Sequence, residues 1–398
     1  MYNFLKLEKK EKHLNYLEKF INTALFSFDS LKPDQENKRQ RYKSIFNENE
    51  REFYVVLDEE KFASGLILYD YNMRLRDSVV KMNGIGTVCS KIEYRGKGTV
   101  SFLLKETLKK LYDEEYVFST LFPFNTEFYR KYGYELFVQA KSYSINPGMI
   151  SLKEVNENIV CEEIDFPDEE TIEYYKNYAS KNYNYVVREK REWKEYLTTS
   201  NPNNIKESVV KFKKDGKVSG VVVYNYLKTE KNYTMFVHGM MFNDEETKIA
   251  MLNFFKRTEF QIKEIIFNLP EDILLWPYIK GTIGNIKRDY DILGRIVNLD
   301  KLNGLKIDNQ NIKLKIRIED DILTQNTGNY ILEIKNKELT LIKTNETPDL
   351  KTNINIFSAI ICGYTNFKEM IISKKVEIVG EYNNHDIEKS VTHMVDFF

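Results

Sequence analysis

The sequence predicts a mixed α/β protein built from three consecutive units. Short apolar strand patterns alternate with amphipathic helix patterns, and the same order of elements occurs twice before a third pattern begins. The length of 398 residues agrees, because one hydrophobic core rarely serves so long a chain. We place the three units at residues 1–146, 147–284 and 285–398.

The first unit is predicted to consist of strands and three helices. The clearest helix patterns are those with apolar residues three or four positions apart. Helices are predicted over residues 14–28, 100–111 and 125–132. Strands are predicted over residues 53–57, 65–69, 79–90, 116–121 and 134–138. The Asn83-Gly84 pair indicates a bulge or bend within the third strand.

The second unit repeats this order, and the third does not. Elements of the second unit are predicted over residues 169–183 (helix), 209–213, 220–226 and 233–242 (strands) and from Asp244 (helix). Asn243 is predicted to cap that last helix, and the acids that follow it would repel a phosphate. We therefore expect one cofactor site, in the first unit. The third unit shows strands over 313–318, 328–334 and 338–342, then two helical segments, with 358–364 in the core.

The composition excludes several classes of protein. Hydrophobic residues make up 42% and charged residues 30%, and 59 Lys and Arg against 60 Asp and Glu leave a net charge of −1. This neutrality argues against a nucleic acid or an anionic membrane as the main partner, since both favour a basic surplus. The longest apolar runs, such as residues 356–362, are far shorter than the roughly 20 residues of a membrane-spanning helix.

The cysteines and the N-terminus predict a cytoplasmic protein without a metal site. No apolar segment follows the first residues, so we expect no secretory signal. Cys89, Cys161 and Cys362 lie far apart and are expected to be reduced thiols. Neither the cysteines nor the four histidines show the spacing of metal ligands.

The strongest chemical signal is a basic, glycine-containing turn between a strand and a helix. Glycines let main-chain N–H groups point together at an anion, and the helix N-terminus adds a positive dipole. The residues are the strand end Val88, Cys89 and Ser90 and the turn Arg95, Gly96, Lys97, Gly98 and Thr99. By itself such a turn is more often a solvated loop, so a second motif is needed.

That motif is Phe128-Tyr129-Arg130-Lys131-Tyr132-Gly133-Tyr134, a short helix pattern ended by glycine. The two motifs at this spacing resemble the GCN5-related N-acetyltransferases (GNAT), whose R/Q-x-x-G-x-G/A turn binds the pyrophosphate of acetyl-CoA. Further segments narrow the resemblance to the Eis family of acetyltransferases. These segments are residues 82–88, 93–98, 121–124, 128–135, 187–193, 293–297 and the terminal 397–398.

The resemblance implies two GNAT-type units, the second degenerate, and a third domain similar to sterol carrier protein. It implies acetyl-CoA as co-substrate, held by the turn, by main-chain groups of residues 88–90 and by Asn125. The acceptor would be a primary amine on an aminoglycoside-like polyamine or a lysine side chain, and the protein would assemble as a homo-oligomer such as a hexamer. Val100 and Ile92 depart from the usual GNAT turn, but neither removes a main-chain donor.

The resemblance also implies two catalytic groups from opposite parts of the chain. Tyr129 would be the general acid, because a phenol with a pKa near 10 is protonated at neutral pH and can donate to a thiolate. The α-carboxylate of Phe398 would be the general base, and burial would have to raise its usual pKa of roughly 3.5. Two alternatives remain: a lipid or acyl-CoA carrier with an apolar cavity in the third unit, and a catalytically silent scaffold.

Overall fold

The computed structural model describes residues 1–29, 35–48, 50–155, 158–199, 207–228, 232–281 and 285–396. Within these ranges the strands form two mixed sheets, one of twelve strands and one of five. Helices cover both, so the predicted mixed α/β class is confirmed. In the same ranges, no helix combines the length and the apolar character needed to cross a bilayer.

The first unit is an antiparallel meander that continues through a helix into a parallel strand. Its elements are β1 (Tyr2–Lys6), α1 (Glu11–Asp29), α2 (Gln35–Asn47), β2 (Glu52–Asp58), β3 (Lys61–Leu75), β4 (Ser78–Ser90), α3 (Thr99–Asp113), β5 (Phe118–Leu121), α4 (Thr126–Arg130) and β6 (Glu135–Ile145). Strands β2, β3 and β4 pair antiparallel, and β4 pairs with β5 in parallel. Strand β1 and helix α2 were not predicted.

The second unit has the predicted order of a helix, three strands and a second helix, and it has further elements that were not predicted. Its elements are β7 (Ile159–Ile164), α5 (Glu169–Ala179), α6 (Lys190–Thr199), β8 (Ser208–Lys214), β9 (Lys217–Lys228), β10 (Tyr233–Phe242), α7 (Glu245–Lys256), β11 (Ile262–Asn268) and β12 (Ile286–Ile296). Strands β8, β9 and β10 form the meander, and β11 follows α7 and pairs with β10 in parallel.

The two units share one sheet because each contributes its last strand to the other. Strand β6 pairs with β11 of the second unit, and β12 pairs with β5 of the first. Between them, β12 and β6 pair with each other. Gly294 makes the insertion of β12 possible, since a Cβ there would overlap the rings of Phe118 and Phe137. Residues 286–296, which lie beyond the predicted 284/285 boundary, are therefore a strand of the large sheet.

The third unit has its own five-stranded sheet. Its elements are β13 (Ile312–Glu319), β14 (Gly328–Lys335), β15 (Glu338–Thr344), β16 (Leu350–Asn353), α8 (Ile354–Cys362), α9 (Phe367–Ile372) and β17 (Glu377–Ile378). The predicted core segment 358–364 falls largely in α8, whose residues from Ile356 to Cys362 are all buried. Helix α8 also packs against β6 and β12, and the Ser358 hydroxyl accepts a 2.9 Å hydrogen bond from the Ile296 N–H.

The predicted bulge at Asn83-Gly84 is wrong. Both residues pair regularly with β3. The irregularity lies further along β4, where the register with β3 shifts between Gly86 and Cys89 and Thr87 takes a left-handed φ of 53°. A β-branched residue rarely adopts this conformation, so the bulge is held by its surroundings and not by a local preference of threonine.

Candidate active site

A wedge opens in the first unit where β4 and β5 separate. Their last parallel pair joins Ile85 to Leu121, where β5 ends, whereas β4 continues beside β3 to Ser90. The main-chain N–H and C=O groups of residues 86–90 therefore face no strand on the β5 side among the described residues. This is the divergence at residues 88–90 that the GNAT resemblance implies.

The basic turn lies at the end of this strand and opens α3. Gly96 and Gly98 have φ values of 76° and 81°, which glycine adopts without strain. A Cβ built on either glycine would meet no atom within 4 Å, so the space over the turn is open. No side chain caps α3 and its first turn carries no acid, while Arg95 and Lys97 are exposed beside it. The geometry and charge suit an anion.

The corresponding helix of the second unit begins differently. Asp244, and not the predicted Asn243, is its cap: the Asp244 carboxylate accepts a 2.8 Å hydrogen bond from the Thr247 N–H. Asp244 has the extended backbone that this position requires, and Glu245 follows it. The carboxylates fill the place where an anion would bind, which agrees with the expectation of one cofactor site.

A cleft of about 220 Å³ lies at the wedge. It is lined mainly by aromatic side chains and by the bulge of β4. The lining residues are Phe28, Tyr42, Ile85, Gly86, Thr87, Val88, Phe122, Phe124 and Tyr129. The structure thus brings together two residues that the sequence predicted for the site, Val88 on the strand and Tyr129 some forty residues later.

Tyr129 lies on the short helix α4, and its ring is almost fully buried. The Asn125 side chain caps this helix by accepting a 2.9 Å hydrogen bond from the Phe128 N–H. The Tyr129 ring contacts Phe124 and Phe128 at centroid distances of 5.5 and 5.1 Å. Burial raises the pKa of the Tyr129 phenol above its usual value, so the hydroxyl stays protonated at neutral pH.

The neighbouring tyrosines have other surroundings. The Tyr134 hydroxyl shares a 2.8 Å hydrogen bond with the Ser119 hydroxyl inside the core. Tyr132 packs its ring against Phe128 at 5.4 Å. Neither is among the residues that line the cleft, which agrees with the choice of Tyr129 as the candidate acid.

The turn after α4 is fixed from behind by Arg295, whose role was not predicted. Its fully buried guanidinium donates to the Tyr132 carbonyl and, at 2.5 Å, to the Asp320 carboxylate of the third unit. Gly133 lies directly against this guanidinium with a φ of 84°, and a Cβ there would overlap it. The segment 293–297 marks this position in the sequence, although nothing in the segment itself indicates the contact.

Cys89 contributes to the wedge through its main chain only. Its side chain is buried in the core, and burial raises the pKa of the thiol above its usual range. A protonated, buried thiol is a poor nucleophile. This leaves no role for Cys89 in covalent catalysis.

Thiol labelling should therefore show one reactive cysteine in the folded protein. Cys161 is exposed, whereas Cys89 and Cys362 are buried. Ellman's reagent at neutral pH should titrate a single thiol before denaturation and all three cysteines of the sequence afterwards. Rapid labelling of Cys89 in the native protein, identified by peptide mass, would contradict this assignment.

The proposed base, Phe398, and its neighbour Phe397 lie outside the described residues. The segment that precedes them is docked. Val395 and Asp396 are buried, and Arg188 pairs with the Asp396 carboxylate at 2.6 Å. The chain is held in place as far as Asp396.

The third unit gives no support to the carrier alternative. A cavity of about 1050 Å³ lies between the first and third units, but six carboxylates and four basic groups are among its lining residues. The apolar side chains of the small sheet, such as Ile316 and Leu332, are fully buried with Phe357 of α8. A lipid chain would need an apolar chamber, and these described residues form a filled core instead.

Two family matches agree with this reading. Residues 11–137 match the acetyltransferase (GNAT) domain, and residues 300–391 match the sterol carrier protein domain. The wedge, the basic turn and Tyr129 all lie within the first match. The chain thus contains a segment that matches the GNAT acetyltransferase domain and, after the large sheet, a segment that matches the sterol carrier protein domain.

Solved structures share the whole architecture at low sequence identity. A GCN5-related N-acetyltransferase from Anabaena variabilis superposes with a TM-score of 0.87 at 19% identity, over 100% of both chains. A probable N-acyltransferase of Enterococcus faecalis gives 0.81 at 20% identity, over 95% of this chain and 94% of that one. Eis1 from Mycobacterium abscessus gives 0.77 at 13% identity, over 100% of both. No curated protein sequence matches this chain.

Proposed function

We propose that this protein is an Eis-type N-acetyltransferase that moves the acetyl group of acetyl-CoA to a primary amine. One observation carries the proposal: the end of β4 that is unpaired on the β5 side lines one cleft with Tyr129, and the open basic turn follows the same strand. The acceptors we propose are aminoglycoside-like polyamines and lysine side chains. The proposal includes a cytoplasmic location and a homo-oligomer, such as a hexamer. The first unit boundary is near residue 146, and the second follows β12, after residue 296 and not at the predicted residue 284.

The wedge and the turn fit acetyl-CoA, which would supply the acetyl thioester. The turn is wide enough for main-chain approach, because no atom lies within 4 Å of a Cβ built at Gly96 or Gly98. Its N–H groups would hold the pyrophosphate, and Arg95 and Lys97 would add charge. Main-chain groups of residues 88–90 would bind the pantetheine amides, since no described strand uses them on that side.

Two groups of this chain would move protons. The Tyr129 hydroxyl would donate to the departing thiolate, a role that its raised pKa favours because the phenol stays protonated. The carboxylate of Phe398 would take the proton of the acceptor amine, directly or through a water. The docking of the tail as far as Asp396 supports this part of the proposal.

A thiol-release assay with acetyl-CoA over a panel of amines tests the activity. The panel should include an aminoglycoside, spermidine, a lysine peptide and a simple monoamine. We expect CoA release above the hydrolysis background with at least one amine. A separate fatty-acid binding assay tests the carrier alternative. Fatty-acid binding without acetyl transfer would overturn the proposal.

Tyr129→Phe should lower kcat by about two orders of magnitude, within the usual range for a lost general acid, and leave acetyl-CoA affinity nearly unchanged. The change removes one hydroxyl and keeps the ring that packs on Phe124 and Phe128. Tyr132→Phe is the matched control, since it removes a hydroxyl from the same turn. An unchanged kcat in Tyr129→Phe would return this residue to a packing role.

A further inference from the structure

Arg188 is a fully buried cation that lies where the C-terminal segment packs against the second unit. Its guanidinium lies 3.5 Å from the ring centre of Tyr196 and about 5 Å from those of Tyr175 and Trp193. Its Nε donates to Asp396 Oδ1 at 2.7 Å. A fully buried arginine is costly unless a carboxylate neutralises it, and Asp396 supplies that charge. Although burial opposes it, this pairing raises the pKa of the Arg188 guanidinium.

Asp396 and the residues before it are held by several contacts. Besides its contact with the guanidinium, the Asp396 carboxylate accepts a 3.3 Å hydrogen bond at Oδ2 from the Val186 N–H. The preceding Val395 belongs to the same apolar cluster as the aromatic rings around Arg188. Two residues before Val395, the His393 carbonyl accepts a 3.1 Å hydrogen bond from the Asn184 N–H. The last part of the third unit is thus bound to the second unit by specific polar contacts.

The first unit also holds this segment. Arg76, at the turn between β3 and β4, donates to the Glu388 carbonyl at 2.8 Å and to the last carbonyls of α8. These contacts account for a half-buried arginine in a hairpin turn. The course of the tail is therefore set by all three units before it reaches Arg188.

Helix α6 connects the Arg188–Asp396 pair with the cleft. Tyr196, on α6, covers the guanidinium, and two residues later the Thr198 carbonyl accepts a 3.5 Å hydrogen bond from Arg41 of α2. The next residue of α2, Tyr42, lines the cleft. The pair is thus linked to the cleft through contacts of α6 and α2.

We propose that Arg188 is a positioning residue that places the C-terminal carboxylate by binding Asp396. Two residues follow Asp396, and a fully extended chain of two residues spans at most about 7 Å, so the position of Asp396 limits where that carboxylate can lie. The proposal rests on the proposed function, in which the carboxylate of Phe398 is the base. Arg188 itself contacts neither substrate nor the reacting atoms.

The test combines a measurement of the tail with a measurement of catalysis. Asp396→Asn and Arg188→Lys both weaken the pair, the first by removing the negative charge and the second by losing the planar fork. Carboxypeptidase Y should release the terminal phenylalanines from either variant faster than from the unchanged protein. In the same variants kcat should fall roughly tenfold or more, because the general base would be displaced. The affinity for acetyl-CoA should stay unchanged.

The pH profile separates positioning from general destabilisation. If the base is displaced in the variants, the rate of acetyl transfer should keep rising with pH, because only the fraction of unprotonated acceptor amine then limits this rate. Ile334→Val, a mild core change in the small sheet, should lower stability without altering the profile. Unchanged carboxypeptidase digestion in both variants would overturn the proposal, as would faster digestion with unchanged kcat and profile. If the unchanged protein acetylates no amine, the proposed function fails, and digestion alone decides whether Arg188 holds the tail.

Discussion

Replacing Gly98 with glutamate should abolish acetyl-CoA binding. The residue has a φ of 81°, so any side chain costs roughly 1–2 kcal/mol of backbone strain. The larger effect is on the ligand. The new carboxylate would occupy the open space over the turn where we place the pyrophosphate, and the two negative charges would repel each other. Isothermal calorimetry should show a loss of affinity of about 100-fold or more, equivalent to about 2.7 kcal/mol.

The second unit provides a matched control for this change. Gly216 lies in the turn between β8 and β9 with a φ of 78°, and a Cβ there also meets no atom within 4 Å. Gly216→Glu therefore adds the same strain and the same charge far from the turn, and it should leave affinity unaltered. Gly98→Lys separates the effect of side-chain bulk from the effect of charge, because lysine is also large but its positive charge would attract the pyrophosphate. Full affinity in a folded Gly98→Glu protein would rule out this turn as the pyrophosphate site.

The turn could be predicted because its chemistry is local. A strand, two glycines, two basic residues and a helix follow one another within a few positions, and the geometry of the turn depends on little else. Helix α2 and strand β1 were missed for the opposite reason. Only Ile45 and Phe46 of α2 are buried, so its sequence carries almost no apolar stripe. Strand β1 is a short edge strand that depends on pairing with β2.

The joining of the two units could not be predicted, because it depends on contacts between distant segments. The pairings of β6 with β11 and of β12 with β5 exchange strands between two similar sheets, and the apolar pattern of each strand fits either partner. The need for glycine at Gly294 and Gly133 is visible only once the strands are exchanged. At these positions a ring or a guanidinium then lies too close for a Cβ. The buried Arg295–Asp320 pair behind Tyr129 follows from the same arrangement.

The second prediction tests the α-carboxylate of Phe398 as the general base. A short tag appended to Phe398 would turn the α-carboxylate into an amide and move the charge away. Acetyl transfer should then fall by about two to four orders of magnitude, the usual effect of losing a general base. Deleting Phe397 and Phe398 should have the same effect with little loss of stability, because the deletion leaves Asp396 and its pair with Arg188 in place.

The control is the same tag inserted elsewhere in the chain. An N-terminal tag is unsuitable, since the Tyr2 hydroxyl donates a 2.9 Å hydrogen bond to the Lys97 carbonyl of the turn. The exposed turn between β14 and β15, at Asn336 and Lys337, lies in the third unit and tolerates insertion better. Acetyl-CoA should bind all three proteins equally, because the turn and wedge are unchanged. A C-terminally tagged protein with full kcat would contradict the assignment of Phe398, and the proton of the amine would then have to pass through a water to an internal carboxylate.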